Sequence, residues 1–238
     1  MQDNYVGDIG DYGKYGLLRV ICAEKLSLSV NWYKVITKKI GRQDDGKYIS
    51  YLSMPQKYKD YDSTLFDSLF RIVHTEKDRR IEKIEQANLF SAKYFSDGIS
   101  TDRTTWHQKA LCATAGTNTV FLDPDNGLET HNMFLKGSAT EKHVKWSELK
   151  DYYERGQNVI LYQHRPQMTK KETCIKDVLR FQKEYLKSDF IMLLEFPKYT
   201  NRFYFMFIHK EYQNRFEKIC DLMDKRWGRG DFCKKIDI

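Results

Sequence analysis

Proline is scarce in this chain, four in 238 residues, so few obvious linkers interrupt it. No internal repeat and no low-complexity segment appears, which excludes a solenoid or an array. No apolar run approaches the roughly 20 residues needed to cross a bilayer. The N-terminal ten residues are polar and carry Asp3 and Asp8, which is not the pattern of a signal peptide. The five cysteines, Cys22, Cys112, Cys174, Cys220 and Cys233, are scattered and form no C-x-x-C pair. That excludes a readable zinc ribbon or disulfide framework and fits a reducing cytoplasm. No histidine pair has H-x-x-x-H or H-E-x-x-H spacing, and neither phosphate-binding glycine fingerprint is present. Cys112, on the way to Gly116, reads as a core residue rather than a nucleophile.

What is present is enough for one substantial core, and a single domain over 1–238 is expected. Hydrophobic residues make up 41% and aromatics 14%, too many for a disordered chain. The net charge of +7, with pI near 9.0, permits attraction to RNA or DNA phosphates without demanding it. No membrane partner is indicated, and the oligomeric state is not legible.

Periodicity predicts alternating helices and strands. Helices are expected from Gly13 to about Lys25, from a Ser63 cap to about His74, and over about Glu76 to Asn88. Further helices are expected from a Thr101 or Asp102 cap to about Ala115, over Trp146 to Arg155, from a Thr169/Glu172 capping box to about Lys187, and over Glu211 to Trp227. Strands are expected at Ser29 to Thr37, Tyr48 to Leu52 after the turn Asp44-Asp45-Gly46, Lys93 to Phe95, Thr119 to Leu122, Val159 to Tyr162, Phe190 to Phe196 and Arg202 to His209. The alternation implies an α/β fold: a Rossmann-like, doubly wound, mainly parallel sheet of six or seven strands. The link between the last two strands is too short for a crossover, so they form an antiparallel C-terminal pair, with the reversed strand expected at the sheet edge.

Three constellations carry chemistry. The loop Asp123-Pro124-Asp125-Asn126-Gly127-Leu128-Glu129 follows a buried strand, where α/β sheets hold their ligands. Its carboxylates suit a divalent metal or a hydrogen bond from an amine; a plain strand-to-helix turn is the alternative. The segment Gly7 to Gly16 has four glycines, Asp8, Asp11 and Lys14 at a helix start, a place that favours anions and close approach. It also reads as a glycine-rich helix start capped by Asp11. Third, His164 ends the strand Val159 to His164 beside Gln163, where a general base would stand if that strand neighbours the Asp123 loop. Asp123-x-Asp125 also echoes the phosphohydrolase pattern D-x-D.

Asp11-Tyr12-Gly13-Lys14-Tyr15-Gly16-Leu17-Leu18 and Leu122-Asp123-Pro124-Asp125-Asn126, with the helix–strand–helix and antiparallel pair that follow, resemble S-adenosylmethionine-dependent methyltransferases. Within that group they distantly resemble the large-subunit ribosomal RNA adenine-N6 methyltransferases and the three-Cys-motif partner proteins. The chain also looks like a widespread uncharacterised bacterial family marked by G-D-x-G-D-[YF]-x-K and F-L-D-P-D-N-G-L. The resemblance implies a nucleic-acid-modifying enzyme in which Asp123 accepts a hydrogen bond from the target amine and Pro124 shapes the turn. Asp125, Asn126, Lys14 and His164 complete the candidate catalytic set. Asp11, Lys14, Tyr15 and Asp97 would lie near the S-adenosylmethionine donor. Asp125 and Asn126 stand where the motif has its second proline and its aromatic, and a basic stretch, Thr37 to Arg42, follows the first strand. These departures support an alternative, a Mg²⁺-dependent nuclease or phosphodiesterase with Asp8, Asp123, Asp125 and Glu129 on the metal and Asp11 nearby. A third reading is a non-catalytic interaction protein on the same sheet.

Overall fold

The computed structural model describes residues 1–36, 46–166 and 168–238. The basic segment 37–42 and positions 44–45 of the expected turn lie outside the described residues. The strands, in chain order, are β1 Leu28–Asn31, β2 Ala92–Phe95, β3 Thr119–Leu122, β4 Gly127–Leu128, β5 His143–Val144, β6 Asn158–His164, β7 Phe190–Phe196, β8 Arg202–Ile208 and β9 Lys234–Ile236. Seven of them form one sheet in the order β2-β1-β3-β6-β8-β7-β9, and β4 and β5 make a separate parallel pair. The strands β2, β1, β3 and β6 run parallel; β8 is antiparallel to both neighbours, and β9 to β7. The α/β class and the antiparallel C-terminal strands are as expected.

Side chains alternate across this sheet, and each face has its own core. Phe121, Ile160, Tyr204 and Met206 belong to one; Val120, Leu122, Val159, Leu161, Phe203, Phe205 and Phe207 belong to the other. The first face is covered by the helices Ile9–Ala23, Ser63–Phe70 and Gln213–Trp227. The second is covered by Arg103–Ala113, Trp146–Glu154 and Lys171–Phe181. The sheet is therefore doubly wound.

The reversed strand is inside the sheet, not at its edge. Every residue of β8 is buried, and after Arg202 it is apolar or aromatic on both faces, the signature of a central strand. The strand β7, half-buried over its first three residues, follows it, and the short β9 takes the outer place.

Several boundaries differ from the sequence reading, each for a local reason. The first helix starts at Ile9 because Asp8, not Asp11, is its cap: the Asp8 carboxylate accepts the Asp11 N–H at 2.9 Å. Gly13 and Gly16 lie within that helix and let Phe196 and Trp227 pack onto its backbone; a Cβ at either would overlap those rings. They serve packing, not ligand approach. The strand expected to reach Thr37 stops at Asn31, whose side-chain oxygen accepts the Tyr33 N–H at 3.0 Å and turns the chain. Tyr48 to Leu52 is not a strand: Ser50–Ser53 is a 3₁₀ turn that buries the adjacent Tyr51 and Leu52 together, which a two-residue period does not allow. Asp62 rather than Ser63 caps the next helix, accepting from the Leu65 N–H at 3.1 Å. The helix expected over 76–88 is confined to Ile81–Gln86. Asp102 caps Arg103–Ala113. The capping box at Thr169 does not form; Lys170 precedes the helix without a side-chain cap. Cys112 is exposed, not core, and all five cysteines are free. The helix His131–Lys136, the β4–β5 pair and β9 have no counterpart in the sequence reading. Among the described residues, no helix is long and apolar enough to cross a membrane.

Candidate functional site

The strands β1, β3 and β6 end on one side of the sheet, and the start of the reversed β8 arrives there too: His164 is in register with Arg202. A cavity of about 370 Å³ opens at this edge. Its lining includes Asp8, Asp11, Lys14, Asp123, Asp125, Asn126, His164 and Arg202. All five candidate catalytic residues thus share one cavity, drawn from three distant stretches of chain.

Lys14 is its central cation. Its Nζ donates to Asp11 Oδ1 and to Asp123 Oδ2, both at 2.8 Å. Burial works against this ammonium, but Asp11 and Asp123 outweigh it and hold its pKa well above the ordinary lysine value. Asp11 Oδ2 accepts from the Tyr15 hydroxyl at 2.8 Å and from the Gly7 N–H at 3.1 Å. Tyr15 therefore stands behind Asp11 and holds it, and is not itself on the cavity wall. Burial pushes the carboxyl of Asp123 up, opposed by Lys14 and by the Met1 amino group. Burial also pushes Asp8 up, opposed by Arg202. The common cause is burial, to which the neighbouring Asp11 carboxylate adds in both cases.

The Met1 amino group lies beneath the acidic loop. It donates to the carbonyls of Trp32, Tyr33 and Asp123 at 2.8–2.9 Å and stands 3.3 Å from Asp125 Oδ1. Burial lowers its pKa, with Asp125 opposing. Gln2 Nε2 donates to Asp125 Oδ2 at 2.7 Å, whereas Asp125 Oδ1 is buried without a hydrogen bond.

The acidic loop is splinted from β6. Gln163 Oε1 accepts the Leu128 N–H at 2.8 Å, and its Nε2 donates to the Asn126 carbonyl at 3.1 Å. Gly127 has φ +115°, and a Cβ there would collide with the Gln163 amide, so glycine is required twice over. Asn126 Nδ2 lies 3.3 Å from His143 Nε2. Burial, with Arg202 and Arg165 nearby, pulls the pKa of His164 below the usual histidine value. It is neutral at pH 7 and able to accept a proton.

Two candidates lie elsewhere. Glu129 turns away from the cavity and accepts the Trp146 N–H at 2.6 Å, fixing the start of a helix. Asp97 lines a separate open depression with Thr104 and Gln108 and accepts the Trp106 indole N–H through its carbonyl. Among the described residues, no group of three or more His, Cys, Asp or Glu side chains is arranged to hold a metal ion. The Lys14 ammonium already occupies the point between Asp11 and Asp123.

Arg202, Tyr162 and Tyr48 also line the cavity and were not singled out in the sequence. Arg202 is buried, donates from Nη1 to the carbonyls of Lys198 and Thr200, and has Nη2 3.8 Å from Asp8. Its guanidinium lies against Gly10, where any Cβ would overlap it. The legible signal was a charge opening an otherwise apolar strand. No protein-family model matches this sequence, and no curated protein or solved structure does either.

Proposed function

We propose that the chain is an S-adenosylmethionine-dependent, methyltransferase-like enzyme that modifies nucleic acid, with the acidic cavity as its active site. The observation that carries this reading is the cavity's charge. Four aspartates, Asp8, Asp11, Asp123 and Asp125, line it together with Lys14, Lys142, Arg202 and the Met1 amino group, so both signs of charge face one small space. Such a site suits a compact ligand that itself carries both charges rather than a polyphosphate, and its volume suits a small cofactor. S-adenosylmethionine carries a sulfonium and an ammonium, and when bound it supplies an electrophilic methyl group. Asp125, beside the Met1 amino group, and Asp8, beside Arg202, are the wall carboxylates that would meet its positive groups. Arg202 is the cation available to its carboxylate.

The residues that act on the target are Asp123 and Lys14. Lys14 fixes one oxygen of Asp123, leaving the other to accept a hydrogen bond from a target amine and orient its nitrogen. His164, neutral and on the same wall, is placed to take up the proton released on transfer.

S-adenosylmethionine at about 100 times its dissociation constant should raise Tm by roughly 5–10 °C. Asp123→Asn should retain that shift yet give no labelled methyl transfer to RNA or DNA. The absence of both a shift and a labelled product in the wild-type protein would sink the reading.

A further inference from the structure

The rim of the cavity is built from different chemistry than its floor. Tyr48 lines the wall, and its ring stacks on that of Tyr199 with centroids 5.1 Å apart and planes 25° apart. Tyr199 is 49% exposed, so the pair presents an aromatic face to solvent. The backbone of Tyr199 is left-handed, at φ +64°, a conformation a bulky side chain holds only when its surroundings impose it. The stack on Tyr48 is one constraint, and the Tyr58 hydroxyl, 3.4 Å from that of Tyr199, is another. Arg202 adds a third from beneath, through the carbonyls of Lys198 and Thr200 on either side.

Lysines stand beside these rings. Lys47 Nζ lies 5.8 Å from the Tyr48 ring centre and Lys57 Nζ 5.5 Å from that of Tyr58. Lys198 adjoins Tyr199, and Lys142 lines the cavity. Aromatic faces among lysines match single-stranded nucleic acid, whose bases stack and whose phosphates pair with cations. A duplex keeps its base faces covered by stacking.

We propose that the Tyr48–Tyr199 stack is a docking platform for one base of a single-stranded nucleic acid, with Lys57, Lys142 and Lys198 meeting its phosphates. A neighbouring nucleotide is then delivered to the acidic floor. This rests on the reading of the cavity as a nucleic-acid-modifying site and names the form of its substrate.

The test is fluorescence anisotropy of the full chain with a labelled 12-nucleotide single strand, as DNA and as RNA, and with the matching duplex. Tyr199→Gly removes the ring and suits the left-handed backbone, so the variant should fold; circular dichroism checks this. Tyr199→Phe keeps the ring. We expect single strands to bind more tightly than duplex, Tyr199→Gly to weaken single-strand binding by about 5- to 150-fold, and Tyr199→Phe to stay within about 3-fold. Equal binding by Tyr199→Gly and wild type, no preference over duplex, or no single-strand binding at all would overturn the platform. The thermal shift with S-adenosylmethionine, run on the same proteins, separates the two ideas. A shift in Tyr199→Gly without ring-dependent binding in wild type removes the platform alone. Ring-dependent binding without any shift removes the methyltransferase reading alone.

Discussion

Lys14 meets Asp11 and Asp123 at 2.8 Å each in a place closed to water. Replacing it with methionine would leave two buried carboxylates with no cation between them. The expected loss is about 3–5 kcal/mol at pH 7, measured by urea unfolding. Part of that loss should be regained as pH falls and Asp123, whose carboxyl burial already pushes up, takes up a proton. Asp8 makes the opposite case. Its carboxyl pKa lies above the ordinary value because of burial, so between that value and the folded one the native state holds a proton the unfolded chain has released. Stability then falls as pH rises through the window. Asp8→Asn retains an oxygen to cap the first helix and removes the charge. It should raise Tm at pH 7, with the gain shrinking toward pH 4. A site that is more stable without one of its own charges is a site shaped by something other than folding.

At the scale of elements, Gln163 couples β6 to the acidic loop through Asn126 and Leu128. Gln163→Leu should cost about 1–3 kcal/mol, because the Leu128 N–H loses its buried acceptor. Amide exchange at Leu128 should speed up, while exchange in β7 stays unchanged. Phe121 is fully buried in β3, and Phe121→Ala should cost about 3–5 kcal/mol in the same unfolding assay. The strand and its loop were legible because Val120, Phe121 and Leu122 are a continuous apolar run ending in turn residues. The central place of β8 was written equally in its sequence, as apolar residues on both faces, but strand order needs pairing partners that periodicity does not name. The first helix was misplaced by one turn because Asp8 and Asp11 are both good caps, and only the Tyr12 N–H bonding back to the Asp8 carbonyl selects between them. The short strand β9 and the β4–β5 pair carry too few residues to show a period.

For the whole molecule, His143 and His164 add to the sensitivity to acid. Burial lowers the pKa of both His143 and His164 below the usual 6.5. As pH falls below that value the unfolded chain takes up protons first, so the native state loses stability from that side. Replacing His164 with asparagine should flatten the decline in Tm between pH 6.5 and 5. The site residues themselves were legible as types, and seven of them, Asp8, Asp11, Lys14, Asp123, Asp125, Asn126 and His164, meet in one cavity. Their meeting was not legible, because it depends on how the first helix docks and on the reversed strand that brings Arg202 to the same edge. Glu129 and Asp97 show the converse: the right residue type, near in sequence, used to fix a helix or to line another depression.

The Lys14–Asp123 bridge joins residues 109 positions apart, and Arg202 reaches Asp8 across a still longer stretch. Loops of that length close late, after the local helices and neighbouring strand pairs have formed. The cavity is therefore among the last features to exist as the chain folds, and no fragment that lacks either end of the chain can contain it. Competence to bind should appear in step with the slowest refolding phase, so a ligand for this cavity would double as a reporter of completed folding.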